Sequence, residues 1–142
     1  MKSRLELRFL YSDPSKIWLK ACNESFAGET EVYLNEEKLV VLVEELVRFP
    51  SSISDKVVFE IGEKESRFGY CKLKFYCYDS WGHSAVLVSV SNEVADSVSD
   101  DNLYSAHFKV QFELAELDRF ISSLRSALNS GKGIAKLEGI NA

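Results

Sequence analysis

The chain of 142 residues has little of what most specialised chemistry needs. It has two histidines and three cysteines, with no short C-x-x-C spacing. A tetrahedral metal site built from clustered His and Cys ligands is therefore not expected. Cys71 and Cys77 fall on one expected strand about 20 Å apart, too far to bond each other. With Cys22 they read as reduced thiols. Two prolines and seven glycines leave no low-complexity linker or disordered tail to expect. No stretch approaches 18 uninterrupted apolar residues, and "MKSRLELRFLYSDP" lacks the apolar core of a secretory signal. The expectation is a cytoplasmic protein that neither crosses nor binds a membrane. Basic residues are also in deficit: 17 Lys and Arg against 22 Asp and Glu give a net charge of −5. That balance argues against a general grip on nucleic-acid phosphates, and it suits either simple solubility or a basic partner.

What is present is strongly patterned. Hydrophobic residues make up 46% of the chain, enough for a single domain over 1–142 that needs no staple to fold. Residues 4–11 alternate, with Leu5, Leu7, Phe9 and Tyr11 on one face. A turn at 12–15, with Asp13 and Pro14, leads to a strand at 16–22, and a Gly bend leads to a third at 29–34. Asn35 then caps a helix with Glu36 and Glu37 in its first turn. Its stripe is Leu39, Leu42, Val43, Leu46 and Phe49, and Pro50 ends it. Strands follow at 56–61, 70–78 and 83–91, the last two joined by "DSWG" with Gly82 in the turn. Residues 92–102, carrying Asp96, Asp100 and Asp101, read as a long acidic loop. A strand at 103–112, with Tyr104, Ala106, Phe108, Val110 and Phe112 inward, runs into a helix at 114–128. Asn129, Gly131 and Gly133 stop that helix before a short last strand.

The order βββα–ββββ–αβ predicts an α+β fold. It should hold a largely antiparallel sheet of about seven or eight strands with two amphipathic helices packed on one face. Within it "YLNEEKLVVLVEELVRF" at 33–49 is echoed by "QFELAELDRFISSLRSA" at 111–127. Leu39, Leu42, Val43 and Leu46 answer to Leu117, Phe120, Ile121 and Leu124. The echo reads as one packing solution used twice.

No catalytic, cofactor-binding or metal-binding residue is assigned. Asp79, Ser80, His83 and His107 are the only material for an enzyme site of Ser–His–Asp type. No nucleophile elbow surrounds Ser80, and a hairpin turn favours these residue types by itself. The acidic loop lacks the order of a calcium loop, and "GEK" and "GKG" lack the strand and helix of a phosphate cradle. The candidate partner-binding residues lie elsewhere. Trp18, Tyr33, Tyr76 and Tyr78 belong to the open sheet face, with Lys20, Lys72, Lys74, His107, Lys109 and Gln111. Glu36, Glu37, Glu44, Glu45, Asp100 and Asp101 form an acidic side, joined by Glu29 and Glu31.

The string "IWLKACNESFAGETEVYLNEEKLVVLVEELVRFP", with the later "FKVQFELAELDRFISSLRSAL", resembles bacterial polymorphic-toxin immunity proteins of the WapI-like type. The resemblance runs from about residue 5 to 139. It rests on Trp18 and Leu19, on Phe49 and Pro50 at a helix end, and on Leu117 and Asp118 in a late helix. It implies a cytoplasmic, non-catalytic protein that neutralises a cognate toxin domain by occlusion, with no cofactor. The alternative reading is a structural or adaptor module that acts as a homo-oligomer.

Overall fold

The computed structural model describes residues 2–10, 15–63, 69–92 and 104–141. Tyr11, residues 12–14 of the expected turn, and Asp96, Asp100 and Asp101 of the acidic loop therefore lie outside the described residues. Among the described residues, eight antiparallel strands and two helices follow one another in an α+β arrangement. They are β1 (Arg4–Leu10), β2 (Lys16–Cys22), β3 (Ala27–Tyr33), α1 (Glu36–Arg48), β4 (Lys56–Ile61), β5 (Tyr70–Cys77), β6 (Ser84–Ser91), β7 (Ser105–Phe112), α2 (Leu114–Ser130) and β8 (Gly133–Glu138).

The strands are divided into two sheets of four. The first has the order β3-β2-β1-β8, and the second has β4-β5-β6-β7. Read from its β7 edge, the second sheet repeats the first, strand for strand. β5, β6, β7 and α2 take the places of β1, β2, β3 and α1. The strand that follows each helix crosses to the other half's sheet: β4 pairs with β5, and β8 pairs with β1. The echo between the two strand–helix segments thus extends to the whole chain, as two βββαβ units that exchange their last strands.

Each strand alternates in burial, because side chains point to opposite faces at every step. Leu5, Leu7 and Phe9 face inward from β1, and Cys71, Leu73 and Phe75 from β5. Their partners continue each row: Leu7 sits between Leu19 and Ala135, and Leu73 between Val88 and Phe59. The helices add Leu39, Leu42, Val43 and Leu46 from α1, and Leu117, Phe120, Ile121 and Leu124 from α2. Burying each such side chain contributes roughly 1.5–3 kcal/mol. The inward faces of both sheets and both helical stripes form one cluster, in which Phe75 meets Phe112 edge-on and packs against Phe120.

α1 lies against β4 and α2, and α2 lies along β8. Asn35 caps α1 by accepting the backbone N–H of Lys38 at 3.1 Å. α2 stops at Gly131, which is left-handed with φ 74°. Between the sheets, β3 packs on β5, β6 and β7, and the Thr30 hydroxyl donates to the Ser91 carbonyl at 2.6 Å. Tyr104, expected inward, precedes β7 and is exposed. Its carbonyl still accepts the Asn92 N–H at 2.9 Å, but β7 itself starts at Ser105.

Candidate functional site

The tight β5–β6 hairpin gathers the histidine expected there. Asp79 accepts the backbone N–H groups of Trp81 at 2.9 Å and of His83 at 3.1 Å. Its other carboxylate oxygen meets His83 Nδ1 at 2.6 Å. The His83 ring, and after it the two backbone N–H groups, hold the Asp79 carboxyl below its ordinary value despite some desolvation. Tyr78 stacks on His83 with ring centroids 6.0 Å apart. His107 belongs to another place. It sits opposite Ser89, whose hydroxyl lies 2.7 Å from His107 Nδ1. Ser89 is five residues up β6 from the hairpin, about 17 Å at 3.3 Å per residue. Asp79 and His83 are brought together; His107 is not, and Ser80 is an exposed turn residue that makes no hydrogen bond to His83 among the described residues. Among the described residues, no three His, Cys, Asp or Glu side chains are grouped to hold a metal ion. No helix among them is long and apolar enough to cross a membrane.

The aromatic candidates divide between two surfaces. Trp18 and Tyr33 stand on the outer face of the first sheet. There the Arg8 guanidinium lies 5.0 Å from the Trp18 ring, the Lys20 ammonium lies 5.7 Å from it, and Lys16 covers Tyr33 at 5.5 Å. Tyr76 and Tyr78 stand on the outer face of the second sheet, under Lys74 at 5.9 Å and Lys109 at 5.6 Å. In each case the cationic group itself stands over an aromatic ring at cation–π distance.

The acidic candidates lie on α1. At 100° per residue, Leu39, Leu42, Val43 and Leu46 occupy the buried arc. Glu37 and Glu44 fall opposite it and Glu36 and Glu45 on its two flanks, with Glu45 half-buried and the other three exposed. The solvent side also carries Val40, Val41 and Val47, which are 46%, 49% and 52% exposed, with Val40 and Val47 on one side of Glu37 and Glu44 and Val41 on the other. These valines were not singled out from the sequence, although "LVVLVEELV" is apolar over a wider arc than one buried stripe needs. Beside them, Glu37, Lys38, Val41 and Leu42 face Val58, Phe59 and Glu60 of β4 across a groove of about 470 Å³. Val58 is itself 51% exposed, and the Lys38 ammonium donates to the Glu60 carbonyl at 2.8 Å. Asp100 and Asp101 lie outside the described residues. Trp81, at the tip of the hairpin and 85% exposed, is a further large aromatic not counted from the sequence.

Comparison of the chain with protein-family models, curated proteins and solved structures returns no match.

Proposed function

We propose that the chain is a non-catalytic protein-binding module, an immunity-type inhibitor that occludes a cognate toxin domain in the cytoplasm of the bacterium that makes it. The supporting observation is the solvent arc of α1. Three half-exposed valines there are set among Glu36, Glu37 and Glu44, with Val41 and Val58 continuing the apolar surface onto β4. Apolar side chains interleaved with charge, here three exposed glutamates beside Lys38 and Arg48, are the anatomy of a protein interface. The valines exclude water at the contact, while the glutamates steer and orient a basic partner. A helix that needed only solubility on this arc would carry polar residues where the valines stand.

The test is calorimetry of the purified chain with the toxin domain encoded by the neighbouring gene, at two salt concentrations. Dissociation constants on the order of nanomolar, weakening as salt rises, are expected. The double substitution Glu37→Lys/Glu44→Lys should weaken binding about tenfold and reduce its salt dependence, since it reverses two charges at the contact. Val40→Ala/Val47→Ala should weaken it while leaving the salt dependence unchanged. Absence of heat at either salt, with the toxin domain shown to be folded, would remove the inhibitor reading.

A further inference from the structure

The two sheets are topological equivalents, so their outer faces can be compared strand for strand, and they differ in charge. The first sheet's outer face carries Arg4, Arg8, Lys16, Lys20 and Lys136 against Glu6, Glu29, Glu31 and Glu138. These groups neutralise one another: Arg4 pairs with Glu6 at 3.0 Å, Lys16 with Glu31 at 4.0 Å, and Lys136 with Glu138 at 3.5 Å and Glu6 at 3.8 Å. The second sheet's outer face carries Lys56, Lys72, Lys74 and Lys109 against Glu60 alone. None of those four lysines forms an ion pair among the described residues, and the Glu60 carboxylate accepts the Tyr70 hydroxyl at 2.6 Å. On a chain of net charge −5, one sheet face thus keeps a local surplus of positive charge.

We infer that the outer face of the second sheet is a docking surface for an extended acidic segment of a protein partner. The register sets the lysine spacing. Lys72 and Lys74 are two residues apart on β5, about 7 Å. Lys109 lies in the same cross-strand row as Lys74, with Leu87 between them, at two strand spacings or about 10 Å. An extended polypeptide lying along β5 repeats its side chains on one face every 7 Å or so, so carboxylates two residues apart on it meet Lys72 and Lys74, with Lys109 two strands to the side. Lys74 over Tyr76 and Lys109 over Tyr78 are already held by their rings, which lowers the entropy lost when a carboxylate pairs with them. Val58 and Leu87 supply apolar contact between the charges. A long polyphosphate is the poorer fit, because its charge would extend beyond this patch onto the acidic remainder of the molecule. This surface borders the α1 arc at Val58, but its lysines are not among the residues used there, so the variants below test it separately.

The experiment is a low-salt titration of the isotope-labelled chain with a short oligoglutamate, followed by amide chemical shifts, beside an oligothymidylate of equal length. Shifts confined to residues 72–76, 85–89 and 107–111 are expected with the oligoglutamate. Its affinity should fall about fivefold in Lys72→Gln/Lys74→Gln, the scale set by two exposed charge pairs. It should not change in Lys16→Gln/Lys20→Gln on the equivalent face. Absent or scattered shifts, equal losses in both variants, or tighter binding of the oligothymidylate at the same amides would each overturn the inference. So would a sedimentation mass that rises with concentration in the native chain but not in Lys72→Gln/Lys74→Gln, which would give the face to a second copy. Both variants replace surface side chains outside the core, and their melting curves show whether the fold is intact.

Discussion

At the scale of the residue, the two sheets approach each other at glycines: at Gly28 of β3, where a Cβ would meet Ala106 and Val90 side chains at 2.8 Å, and most closely at Gly69. A Cβ on Gly69 would stand 1.9 Å from the Glu31 carbonyl oxygen and 3.0 Å from the Thr30 hydroxyl, so β5 starts where β3 leaves no room for a side chain. The obstacle is backbone, which cannot rotate away. Gly82 is a different case: its φ of 83° suits glycine, but an added Cβ would meet nothing within 4 Å. The two positions separate steric contact from backbone strain. Gly82→Ala should cost about 1–2 kcal/mol, the price of a left-handed residue with a Cβ. Gly69→Ala should cost about 3 kcal/mol, the upper range for overpacking, because β3 and β5 must part. Urea unfolding of both variants checks this, and equal losses would show that the sheets separate easily at Gly69. Of these two glycines only Gly82 was legible from the sequence, where "DSWG" between alternating runs required a turn. The Gly69 contact joins residues far apart in sequence, and local pattern holds no record of it.

At the scale of the element, local chemistry wrote the helices and strands plainly. Asn35 caps α1 as its position before Glu36 and Glu37 indicated, and the inward rows follow the period-two alternation of β1, β4 and β5. The second helix shows what the same reasoning can add. Glu113 occupies the N-cap of α2 with extended backbone, yet its side chain makes no capping hydrogen bond. Its carboxylate is one methylene longer than the preferred capping side chains. Glu113→Asp should therefore raise stability by about 0.5–1 kcal/mol, while Asn35→Ala lowers it by about 1 kcal/mol. Thermal melts of the two variants would show the midpoint moving in opposite directions. A neutral Glu113→Asp would mean that the first turn of α2 is held by its packing alone. Which strands are neighbours was not legible. Alternation reports which face a side chain takes, and it is silent on whether β4 joins β3 or β5. The candidate surface suffered from the same gap. Trp18, Tyr33, Tyr76 and Tyr78 all read correctly as outward, but only the division into two sheets shows that they occupy two faces, one with its charges paired and one with a surplus of positive charge. The pairing of Ser89 with His107 is likewise a fact of register.

At the scale of the whole molecule, the exchange of last strands makes each half a structural dependent of the other. Without β8 the first sheet has an open edge at β1, and without β4 the second has one at β5. The sheets also share a single core, so neither buries its inner face alone. Two sheets built this way should unfold as one cooperative unit. Two probes can follow them separately. Trp18, half-buried on β2, reports the first sheet through its fluorescence. Cys71, fully buried on β5 with burial pushing its thiol up to about 12, reports the second through its reaction with a thiol reagent. In a variant with Cys22 and Cys77 replaced by serine and Trp81 by phenylalanine, so that Trp18 is the sole tryptophan, Cys71 should stay unreactive until the chain unfolds. Its brief-pulse labelling should then rise along the same urea curve as the change in Trp18 emission. Labelling that begins at lower urea than the fluorescence change would show the second sheet opening first. The strand exchange would then be a connection between two units with separate stabilities, and β4 the joint that yields.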